Sequence, residues 1–529
     1  MRTIDSACGN RVIVRHTGSE ILNSGAGPKR IKNVVVVGGG TAGWMTAAGL
    51  ASMLGSTGLS VTLVESEAIG IVGVGEATLP HIKFFNDTIG VDEAEFMRAT
   101  NATFKLGIEF VNWGRKGDSY IHPFGEFGLP NEGVAFHQYW RKFADAPGVG
   151  PLEDYSLPVV ACRGAKFQPP SDDPRSVLST YRYAYQFDAL KYAPFMRTHA
   201  EARGVSRVEG KVVDVVLDGE SGDIGSITLE DGQSISGDLF IDCTGFFGLL
   251  IEQALQTGYD EWTKWLPCDR AVAVPCEHMG PLLPYTRATA EEAGWRWRIP
   301  LQHRTGNGHV YSSAFISDDD AQETLVRNLE GPALADPRLL RFVTGKRRKL
   351  WNRNCVAVGL SGGFLEPLES TSIYLIQEGI TKLLELFPVD AENNVEREEY
   401  NRRMDLEFDR IRDFLILHYH ATERDDSDFW NYMRTMNVPD TLKERMELFA
   451  ATGHVSSYDH GLFLIPSWIA VLIGQRRLPD AYDLRVNQAS DSDVAAQLSG
   501  LRRHMAKAVA SMSGHADYLT KNAMIERAL

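Results

Sequence analysis

Apolar residues along this chain fall into three patterns, and the order of those patterns predicts the architecture. The first is the unbroken run. Val34-Val-Val-Val37 has no polar interruption, as expected of a strand buried on both faces. Val61-Thr-Leu-Val-Glu65, Leu239-Phe-Ile-Asp242 and Cys355-Val-Ala-Val358 are of the same kind. The second is alternation broken by turns: residues 208–245 read as a β-meander, with a turn at Asp231-Gly232. The third is helical spacing, found at 44–50, at 81–86, in part of 96–113, at 179–202 (Tyr181, Tyr185, Phe187, Leu190, Phe195) and again from 391 onward (Tyr400, Met404, Phe408, Ile411, Leu415). Residues 114–174 follow none of these and read as irregular, aromatic surface loop, the kind that often lines a pocket. Strands alternating with helices predict an α/β fold. The expected organisation is a flexible tail at 1–30, an interleaved cofactor and catalytic module at 31–390, and an appended, mainly helical region on the substrate side at 391–529.

The first strand runs directly into glycines. Gly38, Gly40 and Gly43 have G-x-G-x-x-G spacing between a strand and a helix, and Glu65 closes a second strand about 20 residues later. Gly38 permits the tight turn, Gly40 lets backbone approach a pyrophosphate, and Gly43 lets the helix pack on the strand. The helix N-terminus supplies free N–H groups, and Glu65 is the expected acceptor for a ribose hydroxyl. This predicts a Rossmann-type dinucleotide site. No second such fingerprint is present, so no separate NAD(P)H domain is expected.

Composition narrows the partners. A formal charge of −15 over 529 residues argues against nucleic acid and anionic membranes. The most apolar late stretch, 462–474, is too short for a membrane span and contains Pro466. Six scattered cysteines without a C-x-x-C pair suggest a reducing cytoplasm, with neither a structural metal nor a disulfide framework. Residues 1–30 lack the apolar segment of a signal peptide.

Three stretches together resemble the flavin-dependent halogenases, especially those acting on tryptophan or other indoles. They are the fingerprint 38–43 continued by Gly75-Glu-Ala77, the run Trp295-Arg-Trp297-Arg-Ile-Pro300, and Phe364-Leu-Glu-Pro-Leu-Glu-Ser-Thr-Ser372. The resemblance extends from residue 31 to about residue 430. It implies a flavoprotein-monooxygenase-like fold whose FAD arrives reduced, as FADH2 from a separate flavin reductase. With O2 and chloride or bromide the flavin yields hypohalous acid, which a lysine presents to a small aromatic, indole-type substrate. A homodimer is compatible with this. A flavin-dependent aromatic monooxygenase and a non-catalytic flavin-binding protein are the alternatives.

Matched residue by residue, the family's lysine falls on Lys105, in Asn101-Ala-Thr-Phe-Lys105 ahead of Phe110-Val-Asn-Trp113. An ordinary solvated lysine is the competing reading. Glu369 matches the acid beside the reacting ring; a helix N-terminal acid that offsets the dipole is its alternative. Glu366 is read as structural. Thr371 and Ser372 match the residues whose backbone N–H groups hold halide, but the family has Gly where this chain has Ser372, which would matter if φ were positive there. Trp295 and Trp297 match residues that flank the flavin and block oxygenation of the substrate. His122 and Phe124 match a pair that sandwiches the substrate ring, and Phe463 stands where a ring wall is expected. Thr41, Ala42, Ser66, Ile69, Glu76, Ala77, Val212, Leu360 and Ile373 match further FAD contacts. Residues 453–461 lack the Tyr/Glu character with which tryptophan-specific members grip the amino acid.

Overall fold

A computed structural model describes residues 13–17, 30–68, 76–388, 394–456 and 461–525. At its centre lies a six-stranded sheet in the order Ser206–Glu209, Ser60–Glu65, Asn33–Val37, Leu239–Asp242, Cys355–Ala357, Trp351–Asn352. Every neighbouring pair is parallel except the last. A parallel sheet is covered on both faces, and Val34 to Val37 are accordingly all buried. Helix Thr41–Leu54 leaves the central strand and packs beside helix Thr371–Glu385. A Cβ on Gly49 would come within 2.9 Å of Ile380, and one on Gly359 within 2.8 Å of Ala42 and 3.5 Å of Ile376. Residues 42 and 49 thus lie by 376 and 380, so the two helices run in the same sense. Their N-termini point the same way.

A second, seven-stranded sheet has the order Arg338–Arg341, Arg270–Cys276, Thr305–Tyr311, Gly294–Pro300, Thr286–Ala290, Gly107–Val111, Ser119–Pro123. Both Trp295 and Trp297 lie on one of its inner strands. A Cβ on Gly308 would fall 2.0 Å from the Trp297 ring, so the indole lies flat on the neighbouring strand where only glycine leaves room. A small sheet of Glu76–Ala77, Ala184–Phe187 and Thr103–Lys105 holds Lys105 in register with Ala184.

Several expectations need correction. Residues 114–174 contain strand Ser119–Pro123 and helices Phe136–Phe143 and Leu157–Arg163. Residues 120–123 are all buried, so no alternation marks the strand. Residues 179–202 are not one helix: strand Ala184–Phe187 precedes helix Ala189–Glu201, whose N-cap Asp188 accepts the Leu190 N–H. Tyr181 and Tyr185, four apart, satisfy both a period of 2 and one of 3.6; the aromatic Tyr183 between them decides for strand. The meander is only Val212–Asp218, Ile224–Leu229 and Ser234–Ser236, because its first and last segments join the parallel sheet. Within the segment read as a tail, Ile13–Thr17 pairs in parallel with Val212–Asp218.

The C-terminal helices include Val395–His420, Ile465–Gly474 and Asp491–Ala510. They share the core of the rest of the chain. Phe414 to Leu417 are buried in succession in the same core as the first sheet, and Ser513–Gly514 pairs with Lys166–Phe167. Among the described residues, no helix is long and apolar enough to cross a membrane.

Candidate active site

The site has two ends. The first is built from main chain. Gly38 has φ +113°, and a Cβ there would sit 2.3 Å from the Cys243 carbonyl oxygen; one on Gly43 would sit 1.8 Å from the Gly38 oxygen. These two glycines close the strand, turn and helix onto each other. Gly40 between them faces open space, with nothing within 4 Å of where its Cβ would be. Helix Thr41–Leu54 has no side-chain cap, so its first N–H groups are left for a ligand. A turn fixed on both sides around one open glycine, backed by an uncapped helix end, fits a pyrophosphate.

Glu65 ends its strand beside this turn, so close that a Cβ on Gly39 would lie 1.5 Å from Glu65 Oε2. Trp44 Nε1 donates to Oε2 at 3.2 Å and Arg207 Nε to Oε1 at 2.5 Å, which fixes the carboxylate in place. Thr41, Ala42, Ser66, Val212 and Leu360 are partly exposed near the sheet's ends, while Ala77 and Ile373 are buried. Burial pushes Glu76 up to about 7. Ile69 and Gly75 lie outside the described residues. The residues present fit FAD.

The second end is built from buried side chains. Lys105 has no exposed surface; its Nζ donates to the Thr78 carbonyl at 3.1 Å and to Ser370 Oγ at 2.8 Å, and lies 5.2 Å from the Phe124 ring centroid. The solvated alternative is therefore removed. Burial pulls its amine down to about 7, against the opposing pull of the Glu369 charge. Glu369 is equally buried. Both its oxygens lie 2.9 Å from His122 Nδ1, and Oε1 is 2.7 Å from His418 Nε2. His418 Nε2 comes this close to Oε1 although its ring N–H is imperfectly aligned on the oxygen. Burial alone would raise Glu369, but the charge and hydrogen bonding of His122 and His418 outweigh it and hold the group at about 2. Burial keeps His418 below its usual value, against Glu369. One carboxylate thus sits between two imidazoles beside a depressed lysine.

Four consecutive residues join the two ends. Glu369 faces the imidazoles and Ser370 takes the lysine. Thr371 and Ser372 open helix Thr371–Glu385, where N–H groups have no intrahelical partner. Ser370 is that helix's N-cap, yet it makes no side-chain cap; its hydroxyl is turned to Lys105 instead. The left-handed conformation falls on Ser370, at φ 60° and ψ 35°. Ser372 lies within the helix, outside the left-handed region, so the concern over serine in place of glycine does not arise from φ.

Other expectations are redistributed. His122 does face the site, but its Nδ1 is spent on Glu369. Phe463 is buried and stacks on Phe414, with centroids 3.9 Å apart, and lies 6.2 Å from the His122 ring. Of residues 453–461, positions 457–460 lie outside the described residues. Trp295 Nε1 donates to Glu366 Oε2 at 3.0 Å, where Tyr419 also donates at 2.5 Å, so Glu366 anchors the segment before helix Thr371–Glu385. Burial raises Glu366 to about 7.

Sequence reasoning missed His418, Ser370, the Tyr120 hydroxyl 3.3 Å from His418 Nδ1, and Gln475, which donates to that hydroxyl. His418 had one available signal: a histidine on the apolar face of the helix marked by Tyr400, Met404, Phe408, Ile411 and Leu415. The others had none.

Comparison with known proteins agrees with this geometry. The tryptophan halogenase family model matches residues 33–491. Tryptophan 6-halogenase SttH of Streptomyces toxytricini is 39% identical over 468 residues, 83% of this chain and 88% of the relative. Among solved structures, BrvH, a flavin-dependent halogenase from Brevundimonas sp. BAL3, superposes with a TM-score of 0.90 at 44% identity, over 93% of this chain and 99% of its own. Xcc4156, a flavin-dependent halogenase from Xanthomonas campestris, gives 0.90 at 45% identity, over 95% and 100%.

Proposed function

The chain belongs to the tryptophan halogenase family, and from that premise we propose how its residues divide the work of an FADH2-dependent halogenase. Bound reduced FAD, with oxygen and halide, supplies hypohalous acid. The reduced flavin comes from a separate reductase, since the chain carries one dinucleotide fingerprint. Gly38 to Gly43 and the first turn of helix Thr41–Leu54 hold the pyrophosphate, and the amides of Thr371 and Ser372 hold chloride or bromide.

Lys105 receives the oxidised halogen. Its ammonium form donates a hydrogen bond to hypohalous acid. Its amine form attacks the halogen, and hydroxide departs with the amine's proton as water, leaving a nitrogen–halogen bond. The aromatic carbon then attacks the halogen, the bonding pair returns to nitrogen, and nitrogen takes up one proton to restore the neutral amine, which balances the proton that the ring gives up. The ring's positive charge develops beside the Glu369 carboxylate, which takes the ring proton and restores aromaticity. His122 and His418 keep that carboxylate ionised until it is needed. The observation carrying this reading is the continuity of Glu369, Ser370 and Thr371. One turn of chain ties halide, lysine and general base together, so none can shift alone.

The substrate is an uncharged, indole-type ring, with Phe124, His122 and Phe463 around it. A zwitterion pays for desolvation of both charges unless each is paired. Residues 453–461 carry no Tyr-Tyr-Glu run to pair them. The test supplies reductase, FAD, NADH, oxygen and each halide to the purified protein, offers a panel of indoles, and identifies products by mass spectrometry. Halogenated indole is expected, with kcat/KM above that for free tryptophan. Hydroxylated product, or a preference for tryptophan, would overturn the mechanism or the substrate class respectively.

A further inference from the structure

Glu369 is held by one imidazole that itself has a second, buried line of support. His418 Nδ1 lies 3.3 Å from the Tyr120 hydroxyl, and Gln475 Nε2 donates to that hydroxyl at 3.2 Å and to the His418 carbonyl at 2.9 Å. All three side chains are buried, and the chain is tightly built. A Cβ on Gly474 would strike the Tyr120 ring at 2.4 Å, so the end of helix Ile465–Gly474 comes this close only because that residue is glycine. Tyr120 stacks on Phe110 with centroids 5.1 Å apart, and His418 stacks on the other contact of Phe110 at 4.6 Å.

The hydrogen bonds have one consistent direction. A backbone carbonyl can only accept, so the Gln475 amide must present its NH2 to the His418 oxygen. The same NH2 reaches Tyr120, whose oxygen accepts. The Tyr120 proton is then directed to His418 Nδ1, which must be the unprotonated nitrogen of a neutral ring. The ring proton is left on Nε2, facing Glu369. The opposite tautomer would set a lone pair against the carboxylate at 2.7 Å.

We propose that Tyr120 and Gln475 are positioning residues that fix the tautomer of His418, so that Nε2 carries its proton toward Glu369. The inference rests on Glu369 as the general base and adds what orients it. The charged and titratable groups around His418 are Glu369 on the turn before the halide helix, Tyr120 and His122 on strand Ser119–Pro123, Lys105 through Ser370, and Glu153, which accepts the Ile121 N–H. Helix Ile465–Gly474 contributes no charge.

The test is Tyr120→Phe in the full chain labelled with 15N in its histidine rings. The His418 signals are assigned by their loss in His418→Gln. Wild-type protein is expected to show Nδ1 in the unprotonated range and Nε2 in the protonated one. Tyr120→Phe keeps the ring stacked and removes only the hydroxyl, so the two signals should move toward a mixture. The kcat for indole should fall roughly tenfold, the size of one hydrogen bond to a charged group, with KM within about twofold. Gln475→Leu should do the same more weakly. An unchanged tautomer in Tyr120→Phe overturns the proposal, as does a changed tautomer with unchanged kcat. Because the tautomer is read without turnover, this result stands apart from whether the protein halogenates indole.

Discussion

The two ends of the site are made from different materials. The flavin end is main chain and glycine, partly open, and its geometry depends on what is absent from three side-chain positions. The lysine end is all side chain, closed, and drawn from segments near residues 105, 122, 369 and 418. A backbone-built site binds a group common to many proteins, a pyrophosphate, and tolerates solvent. The side-chain-built site must place one amine and one carboxylate in a dry environment, where each is expensive unless compensated. In the proposed mechanism recognition falls to backbone and chemistry to buried charge, with Glu369, Ser370 and Thr371 as the joint.

Separating the ends is the sharpest way to break this contrast. Lys105→Ala should abolish site-specific halogenation of indole while FAD affinity, read by fluorescence titration, stays at the wild-type value. Glu369→Gln should lower kcat by roughly 10²-fold, the scale of a lost general base, again without weakening FAD. Gly43→Ala should act in the opposite sense. Its Cβ would overlap the Gly38 carbonyl, a backbone atom that cannot move aside, so FAD affinity should fall at least roughly tenfold. An equal loss of FAD binding in all three would erase the distinction between the ends.

Proton linkage tests the lysine end in a smaller register. With Lys105 held at about 7 and Glu369 at about 2, kcat should fall as pH drops through 7 because the amine protonates, while the carboxylate stays ionised. Stability follows the same group. An unfolded lysine titrates near 10.4, so between about 7 and that value the unfolded chain binds more protons and stability rises with pH. Lys105→Met should raise Tm most near pH 7 and converge with wild type at alkaline pH. A Tm difference independent of pH would mean that the ammonium is not buried at cost. The smallest effect expected is that of Ser372→Gly. Since Ser372 is helical, the change should cost at most about 1 kcal/mol of stability and leave the KM for halide within about twofold.

The same division explains what the sequence made legible. Glycine spacing after a valine run encodes backbone geometry directly, so 38–43 and Glu65 could be placed from local physics. Nothing in periodicity places Lys105 against Ser370, because the contact spans 265 positions; the family resemblance supplied Lys105 and Glu369, while the chain's own pattern did not. The strand that carries Tyr120 and His122 was hidden because residues 120–123 are wholly buried, which removes the alternation that betrays a strand. His418 was hidden by its helix, where a buried histidine reads as one more core position. The left-handed residue is Ser370, two positions before the Ser372 at which a positive φ would have mattered, and a serine gives no sign of it in the sequence.

The central claim is that halogen oxidised at the flavin end reaches the ring only through Lys105. The direct measurement is the fate of that oxidant in Lys105→Ala, supplied with reductase, FAD, NADH, oxygen, bromide and indole, in the presence of a soluble β-diketone that captures free hypohalous acid. Halogenated diketone should appear at close to the rate at which wild-type enzyme makes halogenated indole, with the wild-type regiochemistry of indole halogenation lost. Lys105→Ala that still halogenates indole at the wild-type position, and leaves the diketone untouched, would contradict the claim.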